Sequence, residues 1–325
     1  MSAALEAAAS LLHRTLSPTP QLEWPLLSQR CGARVIVKHE NHLPTGAFKL
    51  RGGLVYMHEL REREPGVRGV IAATRGNHGQ SVTVAARRHG LEATIVVPHG
   101  NNPEKNAAMR AQGALLVEHG HDFQAALEHA QGLSKSESLH LVPSFHPSLV
   151  RGVASCTLEL LRAEPELDTL YVPIGLGSGV CAALEARDAL GSRTKIVGVI
   201  AERAPTYALS LAAGRVVATE SADTLADGLA VRVANADALA RMRGGIERIV
   251  AVSEAEIRFA IRALFSDTHN VAEGAAAAAL AALLREREVV AGKRVGIVLT
   301  GGNIDRALYR EILAEEDPTC PTHSP

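Results

Sequence analysis

Short, apolar, β-branched runs alternate with helical patterns along most of this chain, and that alternation restricts its architecture more than any other feature. Strands read at Val35–Val37, Gly69–Ala73, Ala93–Val97, Leu115–Val117, Leu139–Val142, Leu170–Ile174, Ile196–Ile200, Ile249–Val252 and Val295–Leu299. Helical patterns lie between them, among them His78–His89, Glu104–Gln112, Phe123–Gly132, Val180–Leu190, Glu254–Phe265 and the alanine-rich Ala275–Arg285. A strand that is apolar throughout must be covered on both faces, and parallel neighbours need crossover helices. The pattern therefore dictates βαβ units. Nine strands with no internal repeat are too many for one small sheet. The 325 residues allow about two domains at roughly 150 residues each. The fold expected is α/β, with two open, mostly parallel sheets covered by helices.

Charge and composition narrow the class. Lys+Arg 34 against Asp+Glu 35 gives a net charge of -1 with no block of like charge, so no nucleic-acid footprint is present. The longest apolar run, Gly274 to Leu284, is well short of the ~20 residues that span a bilayer. The N-terminus has no basic segment and carries Glu6 inside its apolar stretch, unlike a secretory signal. Cys31, Cys156, Cys181 and Cys320 are far apart and form no C-x-x-C, which suggests neither a disulfide framework nor zinc. A soluble, cytoplasmic protein is expected, with a frayed end over Glu315–Pro325. Aromatics make up only 3%, so Ala, Val, Leu and Ile must build the core.

Ligands of open α/β sheets sit beyond the carboxyl ends of the strands, and four segments there carry chemistry. Pro44-Thr45-Gly46-Ala47-Phe48-Lys49-Leu50-Arg51-Gly52-Gly53 puts Lys49 between apolar neighbours at a helix start. Such a lysine has a lowered pKa and can form a Schiff base; the plainer alternative is a surface lysine. Ala73-Thr74-Arg75-Gly76-Asn77-His78-Gly79 leaves backbone N–H groups free at a helix start, a cradle for a carboxylate or an ordinary N-cap. Val172-Pro173-Ile174-Gly175-Leu176-Gly177-Ser178-Gly179-Val180 is again strand, glycine turn and helix. It suits a single phosphate, or is a tight turn with no ligand. It is not G-x-G-x-x-G, and no acidic residue closes a second strand, so a dinucleotide is weakly supported. Val298-Leu299-Thr300-Gly301-Gly302-Asn303 ends the last strand with a hydroxyl. An activatable lysine, two anion cradles and a hydroxyl at four strand ends match pyridoxal 5′-phosphate.

On these residues, from about Leu16 to Asp305, the chain resembles the fold-type II pyridoxal-phosphate enzymes of the threonine/serine dehydratase and serine racemase group. The resemblance implies a tryptophan synthase β-like architecture: residues 1–52 and 144–325 as a larger cofactor-binding domain, and 53–143 as a smaller, mobile, substrate-gripping domain inserted in it. It implies Lys49 as the Schiff-base lysine and base, with Phe48 beside the cofactor. Asn77 would meet the phenolic oxygen, Gly175, Leu176, Gly177, Ser178 and Gly179 the phosphate, and Thr300 the pyridine nitrogen. Glu273, in Val271-Ala272-Glu273-Gly274, would lie near the cofactor, and Asp227-Gly228 is a further matching segment. Thr74, Arg75, Gly76, Asn77 and His78 would take the substrate.

Departures from the family pattern sharpen the expectation. Ala47 stands where a serine is usual, and Leu176 and Ser178 interrupt a run of glycines. Arg75 replaces the serine that racemases use on the opposite face of Cα, and an arginine does not give up its proton. Arg75 would instead pair a second substrate carboxylate, stack on an aryl ring, contact the phosphate, or stay solvated. Where the racemase group has carboxylate ligands of a cation, this chain has Ile200 and Thr206, so no metal is expected. Chain beyond Asn303 is short, and feedback through a C-terminal regulatory domain is not expected. The function expected is elimination from a small β-hydroxy-α-amino acid of the L-threonine/L-serine type, possible variants being phenylserine and 3-hydroxyaspartate, giving a 2-oxo acid and ammonia. The assembly expected is a homodimer or homotetramer. Two alternatives stay open: β-replacement of the cysteine synthase type, and a silent binding protein or NAD-dependent enzyme using the glycine turn.

Overall fold

The structure, a computed structural model, describes residues 3–316. Cys320 and the expected frayed end from residue 317 onward lie outside them, while Glu315 itself is held by Arg258, Nε to Oε1 at 2.5 Å. The strands are β1 Gln21–Glu23, β2 Arg34–His39, β3 Gly69–Ala73, β4 Glu92–Val97, β5 Leu115–Glu118, β6 His140–Leu141, β7 Thr169–Pro173, β8 Lys195–Ala201, β9 Arg248–Val252 and β10 Arg294–Leu299. They form a six-stranded sheet in the order β1-β2-β10-β7-β8-β9 and a four-stranded sheet in the order β5-β4-β3-β6. All pairings are parallel except that of β1 with β2. β1 is an edge strand the sequence pattern does not reveal: three residues, mostly exposed, have no alternation to read.

Both sheets are covered on both faces, as apolar strands require. In β2, Val35 and Val37 face one core and Ile36 the other; in β10, Val295, Ile297 and Leu299 oppose Val298. The first core is filled by the helix Gly274–Arg285, whose residues 274–283 are all buried. Alanine lets that helix sit between the sheet and the helix Glu254–Thr268, where larger side chains would overpack by about 1–3 kcal/mol each. The second core is covered by the helices Pro147–Ala163 and Ser178–Leu190.

Chain order reverses at one place in each sheet. In the larger, β7, β8 and β9 run outward and β10 returns on the other side of β7; in the smaller, β3, β4 and β5 run outward and β6 returns beside β3. Such switch points open crevices at the carboxyl ends of the strands. The glycine turns that follow β3 and β7 stand at these two crevices. All four strands of the smaller sheet come from residues 69–141, and the helix Lys49–Arg63 runs unbroken through position 52. No described helix is long and apolar enough to cross a membrane.

Candidate active site

Four helices begin where the two crevices meet: Lys49–Arg63, Asn77–Arg88, Ser178–Leu190 and Gly274–Arg285. None has a side-chain cap among the described residues. Elsewhere Asn102, Asp122, His146, Asn235, Ser253 and Asp305 cap their helices in the ordinary way, while the short helices Pro25–Cys31 and Thr206–Ala213 also lack a side-chain cap. An uncapped start leaves N–H donors and the positive end of the helix dipole free for an anion. By sequence alone Thr74 or Asn77 could serve as such a cap. Thr74 Oγ1 accepts only the Gly76 N–H, at 3.0 Å, and Asn77 is already the first helical residue.

The lysine loop is stitched to the end of β10. Phe48 N–H donates to Thr300 O at 2.9 Å, Gly302 N–H donates to Gly46 O at 3.0 Å, and Ala47 bridges to Gly301. Thr300 is buried there. Lys49 Nζ donates to Ser178 Oγ at 2.9 Å and lies 5.0 Å from the centre of the Phe48 ring. Burial pushes Lys49 down from 10.5 to about 8, against the attraction of Glu273. The expected lowering of a lysine in an apolar helix start is therefore present.

The glycines after Lys49 serve helix packing rather than a ligand. A Cβ on Gly53 would stand 2.2 Å from Ser81 Oγ, and one on Gly152 would stand 2.4 Å from Arg51 O. Ser81 Oγ–H donates to Lys49 O at 2.6 Å. Behind the loop lies a set of buried charges. Arg51 donates to Glu40 at 2.7 Å and 2.9 Å and to Glu159 at 2.7 Å and 2.9 Å. Lys38 donates to Glu159 at 2.6 Å. Arg51 and Glu40 are 0% exposed. Such charges persist in a core only when fully paired.

The glycine turn after β7 is shaped by two close approaches. Gly177 takes φ +99°, which favours glycine, and a Cβ on Gly175 would meet Gly228 O at 2.2 Å. Tyr207 O–H holds the turn from behind by donating to Leu176 O at 2.8 Å. Ser178 starts the helix with its hydroxyl on Lys49, and a Cβ on Gly179 would only reach ordinary contact with Phe48, at 3.8 Å.

Glu273 closes the site from the other side. It is 3% exposed, and burial raises its carboxyl from 4.5 to about 7, opposed chiefly by Lys105. Its Oε1 accepts from Asn77 Nδ2 at 2.8 Å, and its Oε2 has no hydrogen-bond partner among the described residues. Asn303 Nδ2, absent from the sequence reading's site, donates to Asn77 Oδ1 at 2.8 Å. His78 is buried and pushed down to about 3 by burial and then by the Lys49 charge. It is neutral, and its Nε2 has no partner among the described residues. Arg75 is exposed, with no hydrogen bond or ion pair among the described residues. The structure thus gathers Lys49, Phe48, Asn77, Ser178, Glu273 and Thr300 into linked contacts and leaves Arg75 at the rim.

After β8, Thr206 Oγ–H donates to Val231 O at 2.6 Å, while Glu202 and Asp223 are engaged by Arg285 and Arg203. Among the described residues no group of three or more His, Cys, Asp or Glu could hold a metal. A surface hollow of about 680 Å³, beside Arg162, Glu166, Asp168, Arg193, Lys195 and Lys293, opens near the amino ends of β7 and β8. The convergent groups are at the opposite ends.

A nucleophilic amine, two uncapped helix starts on glycine turns, and a buried carboxyl with an unpartnered oxygen fit a ligand carrying one phosphate and an aldehyde. Comparison with known proteins agrees. The family model described as pyridoxal-phosphate dependent enzyme matches residues 12–301. An L-threonine ammonia-lyase of Thermotoga maritima is 36% identical over 305 residues, 94% of this chain and 75% of that one. An L-threo-3-hydroxyaspartate ammonia-lyase of Saccharomyces cerevisiae is 30% identical over 315 residues, 96% of each chain. The processed form of threonine deaminase isoform 2 from Solanum lycopersicum superposes with a TM-score of 0.89 at 28% identity, covering 96% of this chain and 93% of that one. The chain belongs to the pyridoxal-phosphate dependent enzymes of fold type II, and it is a lyase among them.

Proposed function

We propose that this enzyme is an ammonia-lyase that eliminates water from a small β-hydroxy-α-amino acid of the L-threonine/L-serine type and releases a 2-oxo acid and ammonia. The observation that carries the reading is the amine of Lys49, held near pKa 8 and 2.9 Å from Ser178 Oγ at an uncapped glycine turn. When bound, pyridoxal phosphate supplies an aldehyde for the substrate amine and withdraws electrons from Cα. Lys49 would carry it, with Phe48 beside it, Gly175–Gly179 on its phosphate, Asn77 and Glu273 along one edge, and Thr300 at its ring nitrogen.

The chain's own residues then divide the work. The Thr74–His78 turn holds the substrate α-carboxylate on free helix N–H groups. With a pKa of about 8, roughly a tenth of the Lys49 amine is neutral at pH 7. Neutral Nζ takes the Cα proton as general base. His78, neutral and desolvated, adds no competing charge. A neutral hydroxyl at Thr300 leaves developing charge near Cα, which favours prompt loss of the β-hydroxyl over racemisation. Closure of residues 53–143 over the site would exclude water. We also take the enzyme as cytoplasmic, a reading supported by buried, unpaired Cys31, Cys156 and Cys181, and as a homodimer or homotetramer.

The test is 2-oxo acid release by cofactor-loaded protein from L-serine, L-threonine, threo-3-hydroxyaspartate and threo-phenylserine. At least one is turned over, and Lys49→Ala abolishes it. Silence on all four by loaded protein, or a Lys49→Ala enzyme at the wild-type rate, refutes the reading.

A further inference from the structure

The substrate-gripping turn is roofed by a lysine. Lys105, on the helix Pro103–Ala111, lies across Gly76: a Cβ there would stand 2.8 Å from Lys105 Cδ. Lys105 is 8% exposed, and its ammonium crosses the cleft to the carboxylate of Asp227, 122 residues on. Asp227 opens the turn Asp227–Leu229, the same turn whose Gly228 O backs Gly175. Arg75 precedes Gly76, and its charge acts on Lys105. Two cations therefore stand at the turn, Lys105 across Gly76 and Arg75 beside it, and the carboxylate that Lys105 holds is that of Asp227. The other acidic neighbour, Glu273, is held near pKa 7.

We propose that Arg75 and Lys105 form the side-chain subsite of the active centre, that it takes the second carboxylate of an acidic β-hydroxy-α-amino acid, and that Asp227 fills it until such a substrate binds. The proposal rests on the hydroxy-amino-acid lyase reading above. The site already accepts a carboxylate, so its geometry suits one. The two partners differ in freedom. Lys105 is buried and cannot be left without a counter-charge, whereas the Asp227 side chain is 36% exposed and can turn to water at little cost. An incoming carboxylate thus replaces Asp227 on Lys105 and gains Arg75 as a second, unshared partner, with a bidentate fork open to it. A neutral methyl or hydrogen side chain leaves the Lys105–Asp227 pair in place and gains neither. An aryl group would stack on Arg75 alone and leave Lys105 paired.

The test uses cofactor-loaded protein and two ligands that cannot react, malate and 3-hydroxybutyrate, the amine-free counterparts of 3-hydroxyaspartate and threonine. Calorimetry gives the ratio of their affinities. Malate binds at least about tenfold tighter, the scale of one extra charge-assisted contact. Arg75→Gln and Lys105→Met each bring the ratio below about threefold, and Asp227→Asn, which removes the competing carboxylate, raises it. Arg75→Gln alters only an exposed side chain and keeps the test valid where Lys105→Met fails to fold. A wild-type ratio near one, a ratio unmoved by Arg75→Gln, or a ratio lowered by Asp227→Asn overturns the subsite. Turnover of threonine or serine alongside a ratio near one removes the subsite and leaves the lyase reading standing. Silence on all hydroxy amino acids removes the lyase reading itself.

Discussion

Replacing Lys49 by methionine makes the cofactor-free protein more stable at neutral pH, although it removes the amine that the proposed chemistry needs. Lys49 is held at about 8 rather than 10.5, so the folded chain binds its proton less well than the unfolded chain. The sign follows: the penalty is full below pH 8, shrinks between pH 8 and 10.5, and vanishes above. At about 1.4 kcal/mol per pKa unit, it amounts to about 3 kcal/mol at pH 7 and about 1 kcal/mol at pH 9.5. Methionine is close in length, carries no charge, and gives up the bond to Ser178, which is worth about 1 kcal/mol. Lys49→Met should therefore gain about 2 kcal/mol at pH 7 and about nothing at pH 9.5. Urea unfolding of both cofactor-free proteins at the two pH values measures the gap, with equal m-values as the check on comparability. A variant less stable than wild type at pH 7, or a gap that does not change with pH, refutes the reasoning.

Two further substitutions probe the support behind the lysine. Arg51→Met strips the cation from Glu40, leaves Glu159 to Lys38, and should destabilise by about 3–5 kcal/mol; adding Glu40→Gln removes the stranded charge. The double variant is therefore more stable than the single one, and urea midpoints that fall additively would contradict a shared charge network. Gly152→Ala drives a Cβ to 2.4 Å from Arg51 O, where only backbone can yield. It should destabilise by about 1–3 kcal/mol and cut kcat at least tenfold by shifting the Lys49 helix, with kcat and the unfolding midpoint as the paired readout.

Much of this site is legible along the chain because its parts are local. Lys49, the Gly175–Gly179 turn, the Gly76–His78 turn and Thr300 each sit in a strand–glycine–helix word, and a glycine at a helix start has few other uses. Packing uses of glycine are not so marked. The missing side chains of Gly52 and Gly53 admit Ser81 and the Leu149–Gly152 stretch of a neighbouring helix, a contact between segments distant in the chain. Lys105 carries no local signal at all. It lies in the first turn of a helix already capped by Asn102, where a lysine is ordinarily solvated.

Sequence periodicity by itself determined that this chain forms two mostly parallel sheets with helices on both faces, because hydrophobic spacing and crossover length are properties of consecutive residues. It also determined which turns face the cleft, since ligand crevices follow the carboxyl ends of strands. Tertiary structure alone decided the charge state and partnership of what lines that cleft. Burial lowers Lys49, raises Glu273 and keeps His78 neutral. Lys105 finds Asp227, and Arg51 finds Glu159, across 122 and 108 residues of chain. Desolvation and pairing depend on everything within a few ångströms, and no local word in a sequence records what will be brought that close.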